Sequence, residues 1–314
     1  MIRIAMLGTW HVHFRNYASD AARIEHCRIT ALWDPDPAAG KAAAETWNCD
    51  FEPELDTLLA RADVDAVIVC TSTDMHKEVI TKAANAKKAI FTEKVLCFTE
   101  ADALAVADAV KKNGVNFCIS FPWKARGDFQ WIKGAVDGGL IGKVNYCRMR
   151  NAHNGASSHW LPDTFYDKKT CGGGAMMDLG AHSMYILNWL MGTPVKAASA
   201  FTHVIVDSVE DNAVTVFTYE NGAIGVSETG FVAEHNPFEL ELVGDKGTIL
   251  SGGFLDKCCY NVGEGWVFPA LPRPGKGPVD AWVDSLLNGT PAPYGIDEAV
   301  ALSKVMEMAY NAVL

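Results

Sequence analysis

The chain has 314 residues, which at roughly 150 residues per domain predicts two domains. Its 27 Lys and Arg residues are outnumbered by 38 Asp and Glu residues, so the formal net charge is −11. This acidic balance argues against nucleic acid or an anionic membrane surface as a partner, because both require a basic face. Apolar runs such as Ala66–Cys70 are far shorter than the roughly 18 residues of a membrane helix.

The start of the sequence and its cysteines favour the cytoplasm. A strand pattern begins at Ile2, and no basic segment followed by an apolar export segment precedes it. The nine cysteines are an odd number, are scattered, and never form a CxxC pair, unlike a disulfide framework or a zinc knuckle. The sequence therefore predicts reduced cysteines, most of them small core residues, and a cytoplasmic location.

Strand and helix patterns alternate through the first 120 residues. The predicted strands are short and rich in β-branched residues: Ile2–Leu7, Ile29–Trp33, Ala66–Cys70, Ala89–Thr92 and Val115–Ser120. The longer alanine-rich segments with helical spacing are Ala38–Trp47, His76–Asn85 and Thr99–Asn113. This repetition requires crossover connections, which predict an α/β fold with a doubly wound parallel sheet in residues 1–121.

The pattern changes after Phe121-Pro122. The helices predicted there are Phe129–Asp137, Met176–Met191, Val279–Leu287 and Asp297–Val313. An alternating strand is predicted at Val144–Arg150, and residues 195–250 contain strands joined by turns at 220–222 and 244–247. We therefore assign residues 122–314 to a second α/β domain with a large open, mainly antiparallel sheet.

A glycine turn directly follows the first predicted strand. From Gly8 the sequence reads Gly-Thr-Trp-His-Val-His, and the GxGxxG spacing of dinucleotide-binding folds falls on Gly8, Trp10 and His13. One glycine suffices for the tight turn, and the next helix presents free N–H groups to a pyrophosphate. A plain strand-to-helix turn is the alternative. The predicted cofactor-binding residues of this turn are Gly8, Thr9, Trp10, His11 and Val12.

An acidic residue ends the second predicted strand. Asp34 lies where a carboxylate can bond a ribose 2′-hydroxyl and repel a 2′-phosphate. This position favours NAD over NADP as the cofactor. The alternative is that Asp34-Pro35-Asp36-Pro37 forms only a turn and a helix start.

Small hydroxyl residues follow the third predicted strand. Thr71, Ser72 and Thr73 come after Cys70, and His76 stands on the first turn of the next helix. Because ligands bind at the carboxyl edge of a parallel sheet, we expect all four of these polar residues to line the cofactor. Helix capping is the alternative for each of them.

The fourth predicted strand ends before Glu93 and Lys94. Both are predicted to contact the cofactor, since they emerge at the same carboxyl edge. Lys94 is also a candidate donor of a proton or hydrogen bond to a reacting oxygen. An ordinary surface lysine is the alternative.

Another polar segment follows the glycines at 172–174. Asp178 and His182 are four residues apart, so on a helix they share one face. Such a pair is typical of an acid that orients an imidazole for proton transfer. A metal site or a simple helix pair would have the same spacing.

Together these segments resemble the Gfo/Idh/MocA family of NAD(P)-dependent sugar and polyol dehydrogenases, over essentially the whole chain. The landmarks that match, in the family's order, are the turn at Gly8, the segment Thr71–His76, Glu93-Lys94, and Gly172–Gly174 followed by Asp178 and His182. The sequence departs from the family at Val95, where the Glu-Lys-Pro motif has proline, and at the two replaced fingerprint glycines.

This resemblance implies a Rossmann domain, followed by an α/β domain whose sheet often forms dimer or tetramer contacts. It also implies NAD, a small sugar or polyol substrate, and a site between the domains with Lys94, Asp178 and His182 as catalytic residues. His182 would take the proton of a substrate hydroxyl as the carbon passes a hydride to the nicotinamide. Lys94 would donate a hydrogen bond to that oxygen, and Asp178 would hold His182 or a neighbouring hydroxyl.

The substrate itself is less visible in the sequence. The polar and aromatic residues in segments that could reach it are Arg126, Arg150, His153, Asn154, His159 and Trp160. Their mixture suits a polyol or a sugar acid, although each of them is also a typical loop or surface residue.

Two other classes of function are alternatives. His11 and His13 after the first strand are similar to the metal-binding start of amidohydrolase barrels, which suggests a metal-dependent hydrolase. Such a barrel needs alternating strands and helices throughout, whereas residues 195–250 show strands joined by turns. We therefore favour the dehydrogenase hypothesis, which assigns no metal ligands. The other class is a non-catalytic nucleotide sensor or scaffold, which the replaced glycines and Val95 favour.

Overall fold

The computed structural model describes residues 1–235 and 238–314, which form two compact units. The first unit comprises Met1–Ser120 and Lys276–Ser303, and the second comprises Phe121–Gly275 and Lys304–Leu314. The break after Ser120 lies beside the predicted division at residue 121. Residues 276–303, which the sequence analysis assigned to the second domain, are grouped with the first unit, because Trp282 is fully buried in that unit's core.

A parallel sheet lies at the centre of the first unit. Its strands are β1 (Ile2–Leu7), β2 (Cys27–Trp33), β3 (Asp50–Phe51), β4 (Ala66–Val69), β5 (Ala89–Thr92) and β6 (Phe117–Ile119). They pair in the order β3-β2-β1-β4-β5-β6, all in parallel. The strand order reverses between β1 and β4, and doubly wound sheets bind ligands at the carboxyl side of such a point. The predicted fold class of this part of the chain is confirmed.

Helices connect these strands. They are α1 (Phe14–Arg23), α2 (Pro37–Trp47), α3 (Leu55–Ala60), α4 (His76–Asn85) and α5 (Glu100–Asn113). Side-chain caps start two of them: Asp36 accepts a hydrogen bond from the Ala38 amide at 2.8 Å, and Thr99 accepts one from the Asp102 amide at 3.2 Å. No bounds were predicted for α1, and the short elements β3 and α3, which span two and six residues, show too little periodicity to be predicted.

The second unit is built on a larger sheet. Its strands are β7 (Val144–Ala152), β8 (Lys196–Thr202), β9 (Asn212–Thr218), β10 (Ile224–Gly230), β11 (Phe238–Gly244), β12 (Thr248–Gly252) and β13 (Cys259–Asn261). The seven strands pair in the order β13-β12-β11-β7-β10-β9-β8, and β7 with β10 is the parallel pair. The predicted open, mainly antiparallel sheet is confirmed, and neither sheet is the strand–helix barrel that the hydrolase alternative required.

Three helices accompany this sheet in the second unit: α6 (Gly127–Asp137), α7 (Lys168–Cys171) and α8 (Ala181–Met191). Helix α8 packs on β7 and β10. The sequence predicted a single helix over 176–191, whereas the structure has a π-helical turn at Met176–Gly180 that continues into α8. Alternate residues of β9 are exposed, which leaves one face of the sheet open.

Two helices complete the chain. Helix α9 (Pro278–Asn288) packs on α1 and β6, and its Trp282 ring lies 5.6 Å from the Phe91 ring of β5. Helix α10 (Ile296–Tyr310) begins in the first unit and ends in the second. None of the helices in the described residues has both the length and the apolar character needed to cross a membrane.

Candidate functional site

The turn after β1 requires glycine at position 8. Gly8 has a φ of +86°, and a Cβ there would lie 2.7 Å from Thr71 Cγ2 and 2.8 Å from Thr71 Cα. The amide of His11 then donates to the carbonyl of Cys70 at 3.1 Å. Gly8 therefore permits the left-handed backbone and lets the loops after β1 and β4 touch at the carboxyl edge of the sheet.

Asp34 is oriented by the same turn. One of its oxygens, Oδ2, accepts hydrogen bonds from the Thr9 amide and the Thr9 hydroxyl, both at 2.7 Å. The other oxygen accepts from the Asp36 amide at 2.8 Å. The structure thus places Asp34 beside the glycine turn, and the helix-capping role belongs to Asp36, two residues later.

The hydroxyl residues after β4 differ in their surroundings. Thr71 is buried, and within the described residues its hydroxyl oxygen has no hydrogen-bond partner. Ser72 donates to Asp74, and Thr73 starts a short 3₁₀ turn. A buried hydroxyl without a partner costs free energy, so the Thr71 oxygen is a candidate contact for a bound ligand at this edge.

A Thr71→Val variant tests this contact. Valine keeps the shape and removes the hydroxyl, so we expect NAD affinity to fall about 3- to 10-fold while the ligand-free protein becomes no less stable. Thr30→Val is the matched control, because the Thr30 hydroxyl already donates to the Asp63 carbonyl at 3.1 Å. That control should lose stability and keep NAD affinity. Fluorescence titration and urea unfolding measure both quantities, and unchanged affinity in Thr71→Val would show that the hydroxyl contacts no cofactor.

His76 holds two loops together. Its Nδ1 lies 3.0 Å from the Val95 carbonyl oxygen, and its Nε2 lies 3.3 Å from that of Thr71. The ring is 1% exposed, so the structure ties it to main-chain acceptors on both sides. Burial lowers the pKa of His76, although the facing carbonyls act in the opposite direction.

This burial predicts a pH dependence of stability. Below about pH 6.5, His76 takes up a proton in the unfolded chain but stays neutral in the folded protein, because its folded-state pKa is lower. The free energy of unfolding should therefore decrease as the pH falls. Urea unfolding at pH 8 and pH 5.5 should reveal this loss in the wild type and a smaller loss in His76→Gln. His26→Gln, at an exposed position, should keep the wild-type slope. An equal slope in all three proteins would contradict the assignment.

Glu93 is the centre of a buried polar cluster. Its Oε1 lies 2.7 Å from His13 Nδ1 and 3.5 Å from His11 Nδ1, and it accepts a hydrogen bond from the Tyr17 hydroxyl. Burial alone would raise the pKa of the Glu93 carboxyl, but the adjacent His11, His13 and Lys94 hold it well below its ordinary value. Sequence reasoning missed Tyr17, which lies on α1 and reaches Glu93 across 76 residues of the chain.

Lys94 follows this cluster directly. Its amide donates to Glu93 Oε2 at 2.8 Å, and the residue is 5% exposed. The peptide bond between Lys94 and Val95 is cis, at the position where the family motif has proline. Gly8, Asp34, Thr71 and Lys94 thus all lie at the carboxyl ends of strands β1, β2, β4 and β5 in the first unit.

In the second unit, two glycines pack closely just before the π-helical turn. A Cβ at Gly173 would lie 1.9 Å from the Tyr310 hydroxyl, and one at Gly174 would lie 2.1 Å from the Glu210 carbonyl oxygen. The Glu210 carboxylate accepts hydrogen bonds from the amides of Gly174 (2.9 Å) and Met176 (3.0 Å) and from the Tyr310 hydroxyl (2.8 Å). Sequence reasoning missed Glu210 and Tyr310, because both lie far from the glycines in the chain.

His182 lies on the first turn of α8. Its Nδ1 is 3.0 Å from the Tyr185 hydroxyl, and its ring stacks on Trp123 with centroids 5.3 Å apart. The Tyr185 oxygen also accepts the Trp123 amide at 3.2 Å. The structure places Tyr185 at Nδ1, and the role of Asp178 in orienting this imidazole stays a prediction. Asp178 lies in the π-helical turn and is partly exposed.

Three of the six substrate candidates form one cluster. The His153 and Trp160 rings are 4.6 Å apart, and the indole N–H of Trp160 donates to the Asn154 side-chain oxygen at 2.9 Å. Arg126 is elsewhere in the second unit, paired with Asp128 at 2.7 Å. His159 has a φ of +53° and is exposed, and Arg150 lies on β7.

Comparisons with known proteins place these residues in a family. Residues 2–121 match the model described as the oxidoreductase family, NAD-binding Rossmann fold, and residues 129–250 match the GFO/IDH/MocA C-terminal domain. These are the domains of the family that the sequence motifs resemble.

Individual relatives and structures were also found. A myo-inositol 2-dehydrogenase of Thermotoga maritima is 30% identical over 201 residues, 62% of this chain and 58% of that protein. An inositol 2-dehydrogenase of Rhizobium meliloti is 27% identical over 212 residues, 68% of this chain and 62% of that protein. The alignments thus span about three fifths of these relatives. A levoglucosan dehydrogenase in complex with NADH and L-sorbose superposes with a TM-score of 0.85 at 17% identity, over 99% of this chain and 96% of that one.

Proposed function

Because the chain belongs to the Gfo/Idh/MocA family of NAD-binding oxidoreductases, we propose that it oxidises a hydroxyl carbon of a sugar or polyol with NAD as the acceptor. The observation that carries this proposal is the carboxyl edge of the parallel sheet, where Gly8, Asp34 and the unpartnered Thr71 hydroxyl meet the strand-order reversal. The relatives named as inositol dehydrogenases support a polyol substrate.

The residues of this edge fit a dinucleotide. Residues 8–12 would hold the pyrophosphate at the turn, and Thr71, Ser72 and Thr73 would line the sugar and phosphate groups. Asp34, already oriented by Thr9, would accept a hydrogen bond from a ribose hydroxyl and repel a 2′-phosphate, which is why we prefer NAD over NADP. His76 would support the loop from behind rather than touch the cofactor.

Each of the three proposed catalytic residues has a separate role in the reaction. When bound, NAD supplies a ring that accepts the hydride from the carbinol carbon, which becomes a carbonyl. His182 would take the hydroxyl proton at Nε2, with its Nδ1–H donated to the Tyr185 oxygen. Lys94 would donate a hydrogen bond to the same substrate oxygen as its negative charge develops. Because both nitrogens of His182 are used in this arrangement, Asp178 would hold a neighbouring substrate hydroxyl.

The cluster of His153, Asn154 and Trp160 suits the rest of a polyol. An indole face packs against sugar C–H groups, while amide and imidazole groups exchange hydrogen bonds with hydroxyls. We therefore propose a neutral or weakly acidic polyhydroxylated substrate, with Arg126, Arg150 and His159 as further candidates for its recognition.

We also propose a cytoplasmic homodimer or homotetramer that forms through the seven-stranded sheet. Val214 and Val216 of β9 are 43% and 38% exposed and lie next to each other on the open face, so they offer apolar surface to a second copy. The free cysteines fit a reducing compartment. Light scattering coupled to gel filtration measures the mass, and a monomer at micromolar concentration would contradict the assembly.

Two measurements test the function. NADH and NADPH binding is followed by fluorescence, and we expect NADH to bind more tightly. A panel of inositols, aldoses and sugar acids is then screened by the absorbance of the reduced cofactor. Binding of neither nucleotide would overturn the proposal. Binding without turnover on any polyol would favour the sensor or scaffold alternative, for which the replaced fingerprint positions Trp10 and His13 are the supporting observation.

A further inference from the structure

Two histidines and a buried glutamate converge at the start of α1. We propose that His11, His13 and Glu93 form a binding site for a divalent transition-metal ion of borderline softness, such as Zn²⁺ or Co²⁺. Two imidazole nitrogens and one carboxylate oxygen are a ligand set that such ions favour, and three protein ligands leave further positions for water. The inference concerns metal binding by the nucleotide-free protein and does not depend on the proposed reaction.

The distances suit this coordination. One candidate ligand atom from each of the three residues lies within 4.8 Å of the other two. Glu93 Oε1 is 2.7 Å from His13 Nδ1 and 3.5 Å from His11 Nδ1. Ligand atoms about 2.0–2.1 Å from a tetrahedral ion stand about 3.4 Å apart, so binding an ion would change these separations by at most about 1.4 Å.

The groups around Glu93 already orient its carboxylate. Tyr17 donates to Oε1 and is itself 2.8 Å from the Ser120 hydroxyl, while the Lys94 amide donates to Oε2 at 2.8 Å. Glu93 Oε1 has two lone pairs, so it can accept the hydrogen bond from Tyr17 with one and bind an ion with the other, which now faces the His13 ring. Hydrogen-bonded carboxylates of this kind are typical of metal sites, in which outer groups fix the ligands.

Burial and access are also appropriate. The Glu93 and His11 side chains are 1% and 6% exposed, so these two ligands are buried and held in place by the surrounding residues. His13 is 42% exposed, which leaves a path for an ion from solvent and a side chain that can adjust. An ion would add its positive charge beside the buried Glu93 carboxylate, which favours binding there.

The sequence links this site to the altered fingerprint. His13 occupies the position of the third glycine in the GxGxxG spacing, and His11 lies between the second and third positions. The replacement that departs from the dinucleotide pattern thus supplies a metal ligand. The third ligand, Glu93, follows the end of β5 and is 80 residues from His13 in the chain.

The test uses full-length protein stripped with a chelator and free of nucleotide. Titration with Co²⁺ should produce visible d–d absorption that saturates at one ion per chain, and Zn²⁺ should displace it. His11→Ala, His13→Ala and Glu93→Gln should each weaken Zn²⁺ binding more than about 100-fold, because loss of a direct ligand should exceed the 10–100-fold cost of losing an outer group. Tyr17→Phe should fall within that smaller range.

His26→Ala is the control, since it removes an exposed histidine of the same unit and should leave Zn²⁺ affinity unchanged. Circular dichroism checks that each variant is folded, and His13, the most exposed ligand, remains informative if Glu93→Gln fails to fold. No saturable Co²⁺ spectrum, or equal Zn²⁺ affinity in the wild type and His13→Ala, would overturn the inference and leave a simple His13–Glu93 ion pair. NADH binding is measured separately, so failure of the metal site is distinguishable from failure of the dehydrogenase proposal.

Discussion

Replacing Lys94 with alanine should lower kcat about 10²–10³-fold, the cost of removing one donor to a developing oxyanion. Replacing His182 with asparagine should lower it about 10²–10⁴-fold, because asparagine cannot take the substrate proton. Both variants should lose far more turnover than NADH affinity, since His182 is not a predicted cofactor contact and Lys94 is one of many such contacts. Steady-state kinetics with the best substrate of the polyol panel, together with fluorescence titration, measures the two quantities.

Matched controls separate chemistry from folding. Lys112→Ala and His26→Asn alter exposed residues of the first unit and should leave kcat unchanged. The pH profile adds an independent measure: His182→Asn should lose an ionisation from kcat, whereas Lys94→Ala should retain it. Wild-type turnover in either active-site variant would remove that residue from the mechanism.

Replacing Gly174 with alanine should destabilise the protein by several kcal/mol, at or above the roughly 1–3 kcal/mol typical of overpacking. The added Cβ would lie 2.1 Å from the main-chain oxygen of Glu210 and 2.8 Å from Val209 Cγ2, and a main-chain atom cannot rotate away. The backbone must then move, and with it the hydrogen bonds that Glu210 accepts from Gly174 and Met176. We therefore expect kcat to fall as well, because the adjacent turn carries Asp178.

Gly134→Ala provides the comparison for this result. Gly134 lies within α6, and a Cβ there would meet no atom within 4 Å beyond its chain neighbours and the helix's own backbone, so alanine should stabilise the helix by up to about 1 kcal/mol. Urea unfolding of the two variants measures both effects. Equal stability of Gly174→Ala and the wild type would mean that the glycine run serves flexibility and not close packing.

Much of the architecture was predictable from local patterns. β1, β4 and β5 lie within a residue of their predicted bounds, because continuous apolar runs identify buried parallel strands. The short β3 escaped prediction since two residues have no periodicity. The helix at 278–288 was expected, yet an amphipathic pattern identifies only that one face is buried, and it does not indicate which sheet covers it.

Some residues of the candidate site were also predictable from the sequence, and others were not. Gly8, Asp34 and Lys94 were recognised because a ligand edge is defined by the ends of consecutive strands, which are readable in the sequence. The partners Tyr17, Glu210 and Tyr310 were not recognised, because each acts across a long separation in the chain: Tyr17 is 76 residues from Glu93, and Tyr310 is 100 residues from Glu210.

The amino-acid sequence by itself determined the order of strands and helices, the polar residues at the strand ends and the family, because these depend on short-range periodicity and spacing. Only the tertiary structure decided that His76 faces main-chain carbonyls, that His182 meets Tyr185, and that His11 and His13 converge on Glu93. The physical reason is that a side chain's partner depends on which distant segments packing brings within hydrogen-bond reach, and local spacing carries no such information.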